Sequence, residues 1–82
     1  MARFVFLGRL RAFGDSTDMV LPPDVRTVSA LLTWLGDRHP DFADACAGMR
    51  AQVAVNQTIV RDLLQPIADA DEIAFLPPMS GG

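Results

Sequence analysis

Glu72-Ile73-Ala74-Phe75-Leu76 runs directly into Pro77-Pro78-Met79-Ser80-Gly81-Gly82, the end of the 82-residue chain. Ile73 to Leu76 is an unbroken apolar run. A strand with one wet face would alternate, so this density predicts burial on both faces and a central place in a sheet. Proline cannot donate a ladder hydrogen bond, which ends the strand at Leu76. Pro77-Pro78 favours extended polyproline II, Ser80 is small and polar, and Gly81-Gly82 carry no Cβ and can take φ values closed to other residues. The stretch reads as a buried strand followed by a protruding end: a domain over 1–76 and a tail over 77–82.

Upstream of that strand, Ala68-Asp69-Ala70-Asp71 is an acidic turn after Pro66-Ile67. Ala51 to Val55 and Thr58 to Val60 read as paired strands around Asn56-Gln57, although Gln is a poor second residue for a type I′ turn. Val28, Leu31, Leu32 and Leu35 recur at i, i+3, i+4 and i+7, one face of a helix with Thr27 as N-cap. Its end is set near His39-Pro40, because the residue before proline is pushed out of the helical region. Pro40 can then open a second, short helix to about Ala47, with Phe42, Ala45 and Cys46 inward and Gly48 closing it. At the front, Arg3 to Leu7 and Asp18 to Leu21 read as a hairpin with a long turn through Gly8 and Gly14-Asp15-Ser16, stopped by Pro22-Pro23.

The order is strand, strand, helix, short helix, then two or three strands. It predicts an α+β domain of β-grasp, ubiquitin-like arrangement, a mixed sheet packed against one main helix. A right-handed crossover would lay the last strand beside the first and parallel to it. A ferredoxin-like arrangement comes second, because the second helix is too short for it.

Composition narrows the function classes. A chain of this length builds one modest core, burying roughly 60–70 % of its unfolded surface. Half of it is apolar and 21 % is charged, the make-up of a packed globular protein. Net charge is -3, and the 7 positive residues, all Arg, are scattered from Arg3 to Arg61 with no cluster to follow a phosphate backbone. Nucleic acid is therefore not an expected partner, and a basic protein surface is a better match. Without Lys, no side-chain amine can form a Schiff base or accept an isopeptide bond. The single cysteine, Cys46, excludes an internal disulfide and a cysteine-ligated iron–sulfur cluster. No apolar run approaches the ~18 residues of a membrane span, and the first residues are too short a run for a signal peptide. A reducing, cytoplasmic setting is expected.

A free Gly-Gly carboxylate is unreactive until a partner converts it into an acyl-adenylate. Exchange of AMP for sulfur would then give a thiocarboxylate, a soft and strong nucleophile. At this point a resemblance enters. Ala54-Val55-Asn56-Gln57-Thr58-Ile59-Val60 together with Ile67-Ala68-Asp69-Ala70-Asp71-Glu72-Ile73-Ala74-Phe75-Leu76-Pro77-Pro78-Met79-Ser80-Gly81-Gly82 resembles the small, sulfur-carrier subunit of molybdopterin synthase, MoaD-like, of the MoaD/ThiS family. The likeness covers about the last third of the chain and extends more weakly to the first strand and Arg11.

The resemblance implies that Gly82 is adenylated by an E1-like, MoeB-like adenylyltransferase using ATP and Mg2+, and converted to a thiocarboxylate with sulfur from a donor enzyme. The end is then inserted into the large, MoaE-like subunit, where sulfur passes to cyclic pyranopterin monophosphate. It further implies a heterotetramer with two carriers around a large-subunit dimer, catalysis by large-subunit side chains, and no permanently bound cofactor. Phe75, Leu76, Pro77, Pro78, Met79, Ser80 and Gly81 match the family's docking and threading segment. The family usually has Gly where this chain has Ala70, which places the form of the acidic turn in question.

The same residues admit other readings. A thiazole-pathway carrier also ends in Gly-Gly but generally lacks the Phe-Leu-Pro-Pro run. A ubiquitin-like modifier would form isopeptide bonds through Gly82, and an interaction module would leave the tail incidental. Strand alternation requires Phe75 and Leu76 to divide core and docking roles between them. His39 reads as a helix-end residue, Cys46 as a small buried hydrophobe, and Asp69, Asp71 and Glu72 as a solvated turn and not a metal cluster. Trp34, off the apolar stripe, is expected to be partly exposed. Arg11 could pair within the fold or with a partner.

Overall fold

The structure is a computed structural model and describes residues 1–78. Its strands are β1 (Ala2–Phe6), β2 (Ser16–Met19), β3 (Gln52–Val55), β4 (Thr58–Ile59) and β5 (Glu72–Leu76). Its helices are α1 (Val28–Arg38) and α2 (Pro40–Met49), with a 3₁₀ helix over Gly8–Phe13. The strands form one sheet in the order β2-β1-β5-β3-β4. β5 lies at its centre, parallel to β1 and antiparallel to β3, while β1–β2 and β3–β4 are antiparallel pairs. This is the expected β-grasp, a mixed sheet gripping α1.

Alternation sorts each strand. Ala2, Phe4 and Phe6 of β1, Ile73 and Phe75 of β5, and Val53 and Val55 of β3 join Val28, Leu31 and Leu35 of α1 and Phe42 of α2 in one buried cluster. Phe75 is its hub. The ring meets Phe4 and Phe42 edge-on at centroid distances of 5.8 and 5.1 Å and lies parallel to Phe6 at 6.1 Å. Such pairs add about 0.5–1.5 kcal/mol each beyond the area they bury.

α1 begins as its sequence dictates. The Thr27 hydroxyl accepts from the Ala30 amide at 3.1 Å. The amides of Val28 and Ser29, which have no partner inside the helix, donate to the carbonyls of Gln65 and Leu63 at 3.1 and 2.8 Å. The long β4–β5 connection is thereby strapped across the helix N-terminus, and Ile67 returns a bond to the Arg26 carbonyl at 2.9 Å.

Four local expectations are corrected. β2 starts two residues earlier than the apolar run suggested, because Met19 pairs with Ala2, where β1 begins. Beyond that point the Leu21 amide turns away to the Asp69 carboxylate at 2.9 Å. The hairpin turn is not plain loop: it folds into the 3₁₀ helix, which Leu10 anchors in the core. Gly48 does not close α2. The helix runs on to Met49, and Arg50 takes the left-handed cap at φ 54°, ψ 50°, its amide donating to the carbonyls of Cys46 and Ala47. Finally, Asn56 and Gln57 both have positive φ, 50° and 72°, as a type I′ turn requires. The turn is made despite the Gln.

Gly48 is thus an exposed glycine inside a helix, and a Cβ added there meets nothing within 4 Å. Gly48→Ala should raise unfolding stability by about 0.5–1 kcal/mol, the ordinary difference in helical preference. Urea or thermal melts read by circular dichroism check this; a loss of stability would contradict a helix running through residue 48.

Candidate functional site

β5 delivers the chain's last segment. On the β1 side its last hydrogen bond is the Leu7 amide donating to the Phe75 carbonyl at 3.0 Å; on the β3 side the half-buried Leu76 still pairs with Gln52, after which Pro77 is half-buried and Pro78 is exposed. Met79, Ser80, Gly81 and Gly82 lie outside the described residues. The docking segment expected from the resemblance includes Phe75. That assignment is corrected, for the ring has 0 % exposure and belongs to the core. Strand alternation turns Leu76 to the other face of the sheet.

That other face carries neither α-helix, and register builds an apolar strip across it. Val5 pairs with Ala74, Ala74 with Ala54, and Ala54 with Ile59, so four strands place one small or apolar side chain each in a single transverse row. Extending the β1–β5 register by one residue sets Leu7 beside Leu76, next to the exit of the chain. Leu7 and Ile59 are 41 % and 38 % exposed. On the side away from the exit the strip is bounded by Arg3 and Glu72, which pair across β1 and β5, and by Asp18, 3.8 Å from Arg3. An apolar strip with a charged rim beside the chain's exit has the anatomy of a docking patch. Sequence reasoning missed Val5, Leu7, Ala54 and Ile59. The signal was available, because they occupy the strand positions alternating with the core residues.

The acidic turn has a structural task. The Asn56 side chain donates to Asp71 Oδ1 at 3.0 Å and accepts from the Glu72 amide at 3.0 Å, tying the β3–β4 turn to the start of β5. Asp71 Oδ2 accepts from the Ala68 amide at 2.8 Å. Ala70 is not among the residues with positive φ, so no glycine is required there. Asp69 accepts from the Leu21 amide and pairs with the N-terminal ammonium of Met1 at 2.9 Å. Those contacts, the backbone donor first, hold its carboxyl below the usual carboxylate range.

The remaining polar candidates have local partners or surroundings. Arg11 pairs with Asp15 at 3.2 Å, both exposed. The Arg38 guanidinium stands 5.9 Å from the half-buried Trp34 ring, and His39 is exposed at the α1–α2 junction. Burial pushes the half-buried Cys46 thiol up, away from the thiolate that nucleophilic chemistry needs. Among the described residues no group of three or more His, Cys, Asp or Glu side chains is placed to hold a metal, and no helix is long and apolar enough to cross a membrane.

A mixed five-stranded sheet with its last strand at the centre and α1 packed on one face defines a ubiquitin-like β-grasp domain. Comparison with known proteins refines the class. The ThiS family model matches residues 4–82, and the chain belongs to that family. It is 32 % identical over 82 residues, the whole of both chains, to the molybdopterin synthase sulfur carrier subunit of Escherichia coli K12. It is 34 % identical over 80 residues to the Mycobacterium tuberculosis protein of the same name, covering 95 % of this chain and 93 % of that one. Among solved structures, a putative molybdopterin converting factor subunit 1 from Pyrococcus furiosus superposes with a TM-score of 0.74 at 22 % identity, covering 95 % of this chain and 97 % of that one. A chain from the Helicobacter pylori complex of molybdopterin-converting factor subunits 1 and 2 gives a TM-score of 0.69 at 21 % identity, covering 99 % and 97 %. At those identities the two superpositions speak for the fold.

The depressed Asp69 carboxyl implies a sign for acid stability. Its ionised form is favoured by folding, so its contribution is complete above the unfolded carboxylate range, about pH 4, and is lost as pH falls through the lower folded value. Asp69→Asn should lower stability at pH 7 and flatten the decline between about pH 4 and pH 2. Urea midpoints across that range test it, and an unchanged acid limb would deny Asp69 the role.

Proposed function

We propose that the chain is the sulfur-carrier subunit of a molybdopterin synthase, with its reactive atom on the C-terminal carboxyl of Gly82. The observation that carries this reading is collinearity: curated carriers of that name match the chain from its first residue to its last. The geometry supports it, since β5 runs to Pro77-Pro78 beside an apolar strip.

The chemistry follows from a carboxylate. An oxygen of Gly82 attacks the α-phosphorus of ATP held by an E1-like partner, and pyrophosphate leaves. Mg2+ in that partner would neutralise the phosphates. A persulfide on a donor enzyme attacks the carboxyl carbon and displaces AMP to give an acyl disulfide; a second thiol then attacks the donor's sulfur, ending as a disulfide with it, and releases the terminal thiocarboxylate. That sulfur then adds to a carbon of cyclic pyranopterin monophosphate inside the large subunit, whose side chains do the acid–base work, and water hydrolyses the resulting thioester, leaving the sulfur on the pterin and returning the Gly82 carboxylate. This chain contributes a slim end: Gly81 and Gly82 add no side chain to the width of the channel they must enter. It also contributes the strip of Leu7, Leu76, Val5 and Ile59, on which the large subunit and the activating partner dock. Net charge -3 suits a basic rim on those partners and raises the association rate. A dithiolene needs two sulfurs, hence two loaded carriers for each pterin and a heterotetramer to present them.

Incubation with the E1-like partner, ATP, Mg2+ and a sulfur donor should create an alkylatable group at the C-terminus of a Cys46→Ser protein. Alkylation is the better readout, because exchanging oxygen for sulfur is nearly isobaric with oxidation of any of the 4 methionines. Deleting Gly82, or Gly81→Trp, should abolish the adduct and pterin sulfuration with the melting curve intact; retained sulfuration would sink the reading. Separately, Ile59→Glu should weaken the complex with the large subunit at least ~10-fold, about 1.4 kcal/mol, in calorimetric titration. Unchanged affinity would remove the strip from the interface.

A further inference from the structure

Gly8 follows directly on the β1 extension, opens the 3₁₀ helix and has φ of +57°. A Cβ built on it would stand 2.6 Å from Cγ and 3.0 Å from Cδ of Pro77. Carbon atoms in contact prefer about 3.5–4.0 Å, so the bare α-carbon of Gly8 is what leaves room for the ring. Neither side of this contact can easily give way. Pro77 has its φ fixed by its own ring, and it follows Phe75 and Leu76, of which Phe75 is fully buried and hydrogen-bonded to the Leu7 amide at 3.0 Å. On the other side Gly8 lies between Leu7, held by that same bond, and Leu10, which is fully buried and donates its amide to the Leu7 carbonyl at 3.1 Å. The 3₁₀ helix is thus a shelf at the mouth of β5, and Gly8 is the notch in it.

We infer that Gly8 is a positioning residue: it seats Pro77 and so sets the direction in which the chain leaves β5. The inference rests on the reading that Gly82 is the reactive end. Gly82 comes five residues after Pro77, and five residues reach at most about 17 Å. A change of direction at Pro77 therefore moves the volume the terminal carboxyl can sweep relative to the docking strip, and displacement of a reacting atom by about 1 Å can cost ~100-fold.

The test measures steady-state adenylation of the carrier by the E1-like enzyme, with ATP and Mg2+, across five proteins beside the wild type. Gly8→Ala should lower kcat by ~10- to 100-fold and leave KM for the carrier within about threefold, because the docking strip is untouched. Gly14→Ala is the control: Gly14 also has positive φ, 121°, but an added Cβ there meets nothing within 4 Å. Both alanine variants should melt several degrees lower, yet only Gly8→Ala should lose turnover. Pro77→Ala removes Cγ and Cδ and should cost turnover severalfold by loosening the exit. In the double variant Gly8→Ala/Pro77→Ala the Gly8 substitution should add no further loss. Deletion of Gly82 separates the positioning role from the carrier role. If that deletion abolishes the reaction while Gly8→Ala keeps wild-type kcat, or loses equally with and without Pro77, the positioning role is overturned and the carrier reading stands. If the deletion leaves adenylation intact, the carrier reading itself falls. Should Gly8→Ala not fold, Pro77→Ala alone decides, and wild-type turnover in it refutes the seat.

Discussion

The parallel pairing of β5 with β1, from Arg3 opposite Glu72 to Phe6 opposite Phe75, is the constraint on which the rest of the domain depends. A strand at the end of the chain becomes the neighbour of the strand at its start, so everything between must cross over the sheet and return. The crossover is α1 and α2, which cover one face. β5 also pairs with β3, so it has no free edge, and Ile73, Ala74 and Phe75 are buried in succession. Ring contacts from Phe4, Phe6 and Phe42 converge on Phe75. Truncating a ring so enclosed costs about 3–5 kcal/mol, a large part of the 5–15 kcal/mol that holds a small domain together. The chain end is therefore attached to the least yielding strand of the fold. A carrier benefits from that, because force applied to its end meets the core.

The residues that carry the family resemblance divide into two kinds once their contacts are seen. Asn56 and Asp71, with the main chain of Glu72, form a hydrogen-bonded tie between the β3–β4 turn and the start of β5. Asn is also the residue best able, after Gly, to accept the positive φ found at position 56. These residues tie the start of the central strand to the β3–β4 turn. Pro77 onward is the other kind, for which the proposed function asks slimness and direction. On the proposed reading, a pattern that reads as one long motif is a structural tie followed by the reactive end, joined by the strand between them.

Much of this was legible in the sequence where a single local rule governs. The i, i+3, i+4, i+7 spacing of α1, the Thr27 cap and the break before Pro40 all appear as expected, because capping and proline sterics act within one or two residues. The unbroken apolar run of β5 announced a central strand for the same reason. What failed was set by partners distant in sequence. β2 ends where β1 gives it no further pairing, not where its apolar run stops. Gly48 reads as a terminator, but α2 has enough inward contact through Phe42, Ala45 and Met49 to continue two residues and leave the cap to Arg50. At the site, the core role of Phe75 and the outward turn of Leu76 depend on the facing helix, and the apolar strip exists only through the register of four strands. Alternation predicted that the two residues would differ; only the packed sheet assigns which is which.

The form of the strip bears on how a carrier could serve more than one partner. Ala54 and Ala74 at its centre are small and nearly covered by their neighbours, with 6 % and 8 % exposure, so the face is flat and its contact energy must come from its ends, Leu7 and Leu76 on one side and Ile59 on the other. A flat patch with a few apolar anchors gives a modest interface, and differences in affinity among related complexes reside mainly in the dissociation rate. On the proposed reading, activation and delivery both need this strip together with the single end beside it, so the two partners must bind in turn. An interface too tight with either would halt the cycle. Negative net charge can quicken encounter with both without slowing release as much, since steering acts mainly on association. The working compromise is therefore a rigid strand to aim the end, a shallow apolar strip to hold it briefly, and long-range charge to bring each partner in.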